Sequence, residues 1–254
     1  MKFMNTLLTL CVCAVFSSGT AAFAQQENDG HLLQITRVEV KIGHTSKFRE
    51  GMQAWMSCYI DNDGTNTWSV WNNVDGRAGV FHLVSVMENW AALDSPDPAG
   101  RECWSVIEEE VAPHVSSVTT THARHMPDWS GDADGYEVVR LHQFRAAGNG
   151  RKFRETVGEI TTILKDAEYD HLGSWYGVVG GDSRRPNYFV VEHFDNFAAM
   201  DEDRTGAYRA LLDAAGEERG EALWEQFGDS LRDDWEYSSE LLRRVDELSR
   251  EESD

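Results

Sequence analysis

Apolar and polar residues follow two different periods along the chain, and each period predicts a type of secondary structure. In the segment 33–42 (LQITRVEVKI), the second half alternates apolar with polar residues, which predicts a half-buried strand. The next segment predicts a helix with one apolar stripe, made by Phe48, Met52, Trp55, Met56 and Tyr59. Two further strands, over 66–74 and 78–87, flank the turn signal Asp75-Gly76. The pattern up to this point therefore predicts a strand, a helix and a hairpin.

The same pattern occurs a second time in the chain. Residues 67–94 align without a gap to residues 174–201, at a constant offset of 107 (174 − 67), and this places Trp68 on Trp175. A strand predicted over 136–144 precedes the second copy. A second helical stripe follows that strand and consists of Phe153, Val157, Ile160, Thr161 and Leu164. An internal repeat of this kind indicates two copies of one structural unit.

Each copy predicts the order strand, helix, strand, strand, helix, strand, with the last strands over 117–124 and 236–243. A βαββαβ unit of this size is a ferredoxin-like module, whose sheet carries its helices on one face and leaves the other face bare. A tandem copy can cover the bare face. We therefore predict an α+β fold in which two tandem ferredoxin-like modules form an intramolecular pseudo-dimeric α/β barrel, and we expect a monomer.

The repeat also predicts the domain boundaries. We expect a signal peptide, a first repeat, a linker, a second repeat and an acidic disordered tail over residues 1–24, 25–128, 129–135, 136–246 and 247–254. The offset between the copies rises from 107 to 119 towards their ends. This rise places a 12-residue insertion in the second helical region of copy two, near residues 215–222.

The first residues have the pattern of a targeting segment. Lys2 supplies a positive charge, residues 7–16 (LLTLCVCAVF) are apolar, and Ala22-Phe23-Ala24 resembles a cleavage site. A membrane anchor is the alternative, but no stop-transfer segment follows, and the apolar run is too short to span a bilayer. We therefore expect cleavage after Ala24, no membrane span, and a periplasmic or secreted protein.

Charge and cysteine content narrow the classes of partner. The chain has 44 acidic and 23 basic side chains, for a formal net charge of −21, so its surface repels nucleic acid and anionic lipid.

Two of the four cysteines lie in the predicted signal peptide. In an oxidising compartment, Cys58 and Cys103 predict either one disulfide or two separate buried thiols.

The run 189–203 (FVVEHFDNFAAMDED) and its weaker echo 84–94 (VSVMENWAALD) carry a family resemblance. They resemble the third strand and short helix of antibiotic-biosynthesis monooxygenase-like and NIPSNAP-like domains in the dimeric α/β-barrel superfamily. That superfamily includes oxygenases, isomerases, haem-degrading enzymes, haem peroxidase relatives and binding domains, so the resemblance transfers no single function. The module implied by it ends its first helix and begins its second at the same end of the sheet. This arrangement favours a Cys58–Cys103 disulfide.

Alternation along the strands selects candidate site residues. Arg37 and Glu39 share one strand face, and Arg140 and His142 share another, and we expect both polar sets to point into the barrel. The resemblance places Glu192 in the lumen as well. The predicted catalytic residues are Arg140, His142 and Glu192. The predicted ligand-binding residues are Arg37, Glu39, Trp68, Trp175 and Tyr188.

Structural explanations remain open for several of these residues. An Arg140–Glu192 pair is commonly structural, and Trp68 and Trp175 suit packing between sheets. His82 and His193 are expected on the helix-covered face as core histidines. The sequence contains no HExxH or CxxC motif, so we predict no metal, and it contains no CxxCH motif, so any haem would be noncovalent. No cofactor is predicted.

Two functions remain open at this point. The first is binding of a small hydrophobic molecule in the barrel cavity, without chemistry. The alternative is a cofactor-independent monooxygenase- or isomerase-type enzyme that acts on a small apolar or aromatic substrate, with Arg140 and Glu192 orienting the substrate and His142 acting as acid or base. The sequence does not decide between them.

Overall fold

A computed structural model describes residues 30–95, 97–132, 136–182, 185–233 and 238–251, so the predicted leader 1–24 lies outside the described residues. Eight antiparallel strands form a closed barrel in the order β1-β3-β2-β8-β5-β7-β6-β4. The strands are β1 Leu32–Val40, β2 Ser69–Asn73, β3 Val80–Met87, β4 Val115–His125, β5 Val138–Phe144, β6 Ser174–Gly180, β7 Tyr188–Phe194 and β8 Ser238–Arg244. Six α-helices occur in the described ranges: α1 Thr45–Asp61, α2 Pro98–Glu102, α3 Trp104–Val106, α4 Arg151–Asp166, α5 Ala207–Ala215 and α6 Glu217–Asp229.

Both halves of the chain contribute their strands to the barrel in the same order. The first half contributes β4-β1-β3-β2 to the barrel and the second half contributes β8-β5-β7-β6. Two pairings, β2 with β8 and β4 with β6, join the halves. The fold is therefore α+β, with a closed antiparallel barrel whose helices lie outside it.

The register of the first strands differs from the sequence alignment of the two copies, which places Arg140 on Arg37. Val38 pairs with Phe81, and Phe144 pairs with the corresponding Tyr188, so the first strands match at an offset of 106 (144 − 38). Phe81 packs on Phe48 of α1, and Tyr188 stacks on the corresponding phenylalanine of α4. Packing of these rings fixes the register.

This register corrects one pair of positions. The alignment of Arg140 with Arg37 is wrong, because the counterpart of Arg37 is Gln143 (37 + 106). The same alignment places His142 on Glu39, and this difference between the copies is lost for the same reason. The match of Ser85 with Glu192 keeps its offset of 107 (192 − 85), since it lies within the gapless run.

The apolar stripes of α1 and α4 face the barrel as their spacing predicted. Phe48 and Met52 of α1 are buried against the outer face of the first-half strands, and Phe153 and Val157 of α4 are buried against the second half. The outer face of each sheet is thus a packed core. This packing leaves the opposite face to line the barrel lumen.

The segments that close each half pack on the other half. Trp129, which follows β4, is buried among second-half residues, and Leu248, which follows β8, is buried among first-half residues. The Ser130 hydroxyl accepts a hydrogen bond from the Trp175 N–H at 2.8 Å, and the Ser249 hydroxyl accepts one from the Val70 N–H at 2.9 Å.

These contacts correct two predicted boundaries. The predicted linker 129–135 begins with a core tryptophan rather than with exposed chain. The tail predicted to be disordered from residue 247 contains the buried Leu248, and Arg250 forms a β-bridge with Trp68. An apolar side chain within a charged segment decided the packing in each case.

The disulfide is present. Cys58 of α1 is bonded to Cys103, which lies between α2 and α3, with a Cα–Cα distance of 5.9 Å. The counterparts in the second half, Ile163 and Ala210, pack around a common apolar cluster. The same contact between helices is therefore covalent in one half and apolar in the other.

The insertion in copy two forms an additional helix. Gly216, with φ of 84°, separates α5 from α6, a backbone conformation that favours glycine. Among the described residues of the corresponding region, the first half has α2, α3 and single helical turns. None of the helices in the described ranges is both long enough and apolar enough to span a membrane.

Candidate functional site

Strand alternation divides the side chains of β5 and β7 between two cavities. Val139, Leu141 and Val191 line the barrel lumen. Arg140 and His142, which alternate with them, line a different cavity between the outer face of the sheet and the helices. The expectation that Arg140, His142 and Glu192 point into the barrel is therefore wrong, because helices cover the face that carries these side chains.

We call this second space the outer cavity. Its volume is about 720 Å³, and it lies between β5, β7 and the helices of the second half. Its apolar wall includes Phe144, Val157, Ile160, Leu164, Trp175, Val190, Phe194, Trp224 and Phe227. Trp224 and Phe227 belong to α6, so the inserted helix forms part of the wall.

The three predicted catalytic residues meet in the outer cavity. Arg140 and Glu192 are direct partners across β5 and β7. One carboxylate oxygen of Glu192, Oε2, lies 3.2 Å from His142 Nε2 and 3.5 Å from Arg140 Nη1. The predicted pairing of Arg140 with Glu192 is confirmed, although it occurs outside the barrel.

Glu192 is charged at neutral pH. Burial raises its pKa, but the hydrogen bond from His142 and the charges of His142, Arg140 and Arg204 lower it by more, so the net pKa lies below the usual value. The side chain is 28 % exposed. The cavity therefore contains an ionised carboxylate held by basic groups.

Sequence reasoning missed Arg204. Its guanidinium lies 4.8 Å from the centre of the Phe194 ring, and that of Arg140 lies 5.6 Å from the same ring. Arg204 directly follows the run that carries the family resemblance, and the position 107 residues earlier holds Asp97. That reversal of charge between the copies was the only signal in the sequence.

The remaining aromatic candidates lie in the helix-covered core. Trp175 stacks on Phe144 at 5.4 Å and contributes to the wall of the outer cavity. Tyr188 alternates onto the same strand face as Glu192, for which the sequence predicts the lumen, but it stacks on Phe153 in the helix-covered core, so that prediction is wrong for Tyr188 as well. Trp68 packs against Trp55 and also reaches the end of the lumen.

The barrel lumen is a separate cavity of about 940 Å³. Arg37 lines it, as predicted, and pairs with Glu39, which also pairs with Arg77. His82 and His193 line it too, so their predicted place on the helix-covered face is wrong. Each lies on the lumen face because its strand presents every second side chain to the interior.

The lumen histidines are uncharged at neutral pH. Burial lowers the pKa of His82 to about 4, and the charges of Arg37 and Arg185 act in the same direction. Burial also lowers the pKa of His193 to about 4, against the opposing effect of Glu192. Within the described ranges, no three metal-binding side chains lie close enough together to hold a metal ion.

Comparisons with known proteins find proteins of the same fold, but they assign neither a family nor an activity. No protein-family model matches the chain, and no curated protein matches it. A monooxygenase candidate from Lactobacillus acidophilus NCFM is 12 % identical, with a TM-score of 0.51 over 85 % of this chain and 94 % of that one. A chlorite dismutase variant from Candidatus Nitrospira defluvii, in complex with cyanide, is 8 % identical, with a TM-score of 0.52 over 86 % and 93 %.

A second variant of the same chlorite dismutase is 10 % identical, with a TM-score of 0.52. These likenesses show that the chain shares its fold with those proteins. At such identities they carry no activity to this chain.

Proposed function

We propose that this protein binds a small, largely apolar molecule that carries an acidic group, and that the outer cavity is the binding site. The observation that supports this proposal is the convergence of Arg140, His142 and Arg204 around Glu192 inside an otherwise apolar cavity. The sequence alone favoured the barrel cavity for a hydrophobic ligand. The outer cavity now carries the proposal because it holds the charged residues.

The charges of the outer cavity favour an anion. Arg140 and Arg204 face the half-buried carboxylate of Glu192, and the other two carboxylates of the lining, those of Glu202 and Asp203, are exposed to solvent. Glu202 pairs with Arg204 at 3.4 Å, but its side chain is 65 % exposed, so solvent screens its charge. A ligand carboxylate can form charge-assisted hydrogen bonds with the guanidinium groups, while its apolar body packs on the aromatic wall.

Calorimetric titration with 2-naphthoate tests this proposal. We expect Arg140→Gln and Arg204→Gln to weaken binding about tenfold or more, the loss that accompanies removal of a hydrogen bond to a charged group. Arg209→Gln is the matched control, because Arg209 pairs with Asp213 on the surface. Unchanged affinity in both cavity variants would contradict the proposal.

Proton transfer on the bound molecule is a second candidate function, and the His142–Glu192 contact favours it. A carboxylate beside an imidazole orients the ring and supports its action as an acid or base. This arrangement suits a cofactor-independent monooxygenase- or isomerase-type reaction. We expect His142→Ala to fold normally and lose turnover of any substrate found, and wild-type turnover in that variant would exclude the assignment.

Haem is one molecule with the chemistry proposed for the ligand, since it combines an apolar ring with carboxylates. The outer cavity presents the imidazoles of His142 and His171, a residue type that binds haem iron, and arginines that could pair with the carboxylates. These residues are of the types that a noncovalently bound haem would need. An absorbance scan of natively purified protein separates haem from a colourless acid.

Three expectations from the sequence remain proposals. Export with cleavage after Ala24 is supported by the disulfide, which is typical of oxidising compartments, and N-terminal sequencing of the secreted protein tests it. Descent from two ferredoxin-like modules, related to the monooxygenase-like and NIPSNAP-like domains, is supported by the equal strand order of the halves. A monomeric state is tested by light scattering.

A further inference from the structure

The side chains of the barrel interior leave a large open cavity in the lumen. Eight strands enclose an interior that side chains can fill or that can hold one small ligand. Here a cavity of about 940 Å³ remains between the side chains. That volume lies within the range of small-molecule sites in proteins.

Aromatic rings form much of the lumen wall. Trp71 stacks on Tyr136 with 5.7 Å between ring centres and 26° between their planes, and Tyr136 contacts His193 at 4.0 Å. Tyr176 stacks on Phe189 at 5.0 Å and 18°. Flat rings of this kind pack well against the face of a planar molecule.

Polar atoms on these rings remain available to a ligand. Within the described ranges, the hydroxyls of Tyr136 and Tyr176 and the ring of His193 make ring contacts but no hydrogen bonds. All three residues line the cavity. Buried polar groups are normally hydrogen-bonded, so these groups point to a ligand or ordered water as their partner.

The histidines and tyrosines with shifted pKa values in the lumen are uncharged at pH 7. Burial lowers the pKa of His82 and His193 to about 4 and raises the pKa of Tyr136 and Tyr176. The neutral forms of all four side chains therefore predominate. These four groups therefore offer a charged ligand no partner of opposite charge to offset its lost hydration.

Several arginines that touch the lumen already have partners. Arg37 pairs with Glu39, and Arg244 pairs with Asp246 and Glu251. Arg185 also has a partner, since it donates a hydrogen bond to Thr119. Glu240 lies at 3.6 Å from the uncharged ring of His82.

We propose that the barrel lumen is a second binding site, separate from the outer cavity, for a flat, uncharged aromatic molecule with a hydrogen-bonding group on its edge. The strands β5 and β7 form the wall between the two sites, because Val191 faces the lumen while the next residue, Glu192, faces the outer cavity. The two sites therefore select ligands of different charge.

The test compares two probes that differ in one group. 2-Naphthol is uncharged at pH 7 and suits the lumen, whereas 2-naphthoate is anionic and suits the outer cavity. Each is titrated calorimetrically into the whole protein and into Val191→Trp, which fills the lumen. Val179→Trp is the matched control, because Val179 is 51 % exposed.

We expect Val191→Trp to abolish 2-naphthol binding and to leave 2-naphthoate binding unchanged. Arg140→Gln should weaken 2-naphthoate binding and leave 2-naphthol binding unchanged. If Val191→Trp does not fold, Tyr176→Phe replaces it. That variant should weaken 2-naphthol binding about three- to tenfold, as loss of one neutral hydrogen bond implies.

The proposal is overturned if the wild-type protein does not bind 2-naphthol, or if folded Val191→Trp binds it normally. It is also overturned, when Tyr176→Phe serves instead, by unchanged affinity in that variant. Loss of both probes in folded Val191→Trp would indicate one shared site and equally reject two. A failure of 2-naphthoate to bind affects only the function proposed for the outer cavity.

Discussion

At the scale of single residues, the two cavities differ in the charge that they enclose. Glu192 is ionised in the outer cavity, where basic groups surround it. His82 and His193 are neutral in the lumen, where burial disfavours the charged imidazole. Adjacent residues of β7 thus face two cavities that differ in the charge of their lining, because successive strand residues face opposite sides of the sheet.

The lumen histidines predict that stability falls in mild acid. Their pKa is about 4 in the folded protein against an ordinary 6.5, so between these values the unfolded chain binds more protons. Stability is therefore greatest above pH 6.5 and decreases as the pH falls towards 4. The loss is on the order of 3 kcal/mol for each histidine.

Urea unfolding at several pH values checks this prediction. We expect His82→Gln and His193→Gln each to flatten the decrease between pH 6.5 and 4. His171→Gln, at an exposed position, should not. A pH profile that neither lumen variant alters would contradict the assignment of neutral buried histidines.

At the scale of elements, the two halves hold their helices by different means. The first half has the Cys58–Cys103 bond between α1 and the α2–α3 region, whereas the second half has the additional helix α6. The sequence separation of the cysteines is 45 residues. A cross-link of that span restricts the unfolded chain considerably.

Removal of the disulfide should lower stability without changing the outer cavity. For Cys58→Ala with Cys103→Ala, the chain-entropy model gives a loss of about 4 kcal/mol in the free energy of unfolding. Chemical denaturation measures the loss, and 2-naphthoate binding to the folded fraction serves as the control. Equal stability of the double variant and the wild type would contradict this view of the bond.

The segments after β4 and β8, each of which packs on the other half of the chain, predict a second effect on stability. Leu248 is fully buried in the core of the other half, so Leu248→Ala should cost about 2–5 kcal/mol. Leu93→Ala is the matched control, since Leu93 is 48 % exposed. A cost for Leu248→Ala no larger than that of the control would show that the segment after β8 does not stabilise the barrel.

At the scale of the whole molecule, the repeat predicted the order of the elements, and the approach of Cys58 to Cys103 followed from the module. The face assignment on β5 failed for a physical reason. Both faces of that strand are covered, one by helices and one by the barrel, and Val138 and Val139 are both buried. Alternation shows that neighbouring side chains diverge, but it cannot show which side is the lumen.

Other features lay beyond sequence reasoning. Arg204 follows a 3-10 turn, where no period predicts the direction of a side chain. Trp129 and Leu248 pack across the boundary between the copies, and only the closed barrel brings them there. The size of both cavities depends on the distances between packed strands and helices, and the amino-acid sequence alone does not specify those distances.

A crystal structure with 6-bromo-2-naphthoate shows directly whether the outer cavity binds an acid, because anomalous scattering from bromine locates the probe. We expect one strong bromine peak in the outer cavity, with the carboxylate within hydrogen-bonding distance of Arg140 or Arg204. A bromine peak only in the lumen or only on the surface would contradict this expectation.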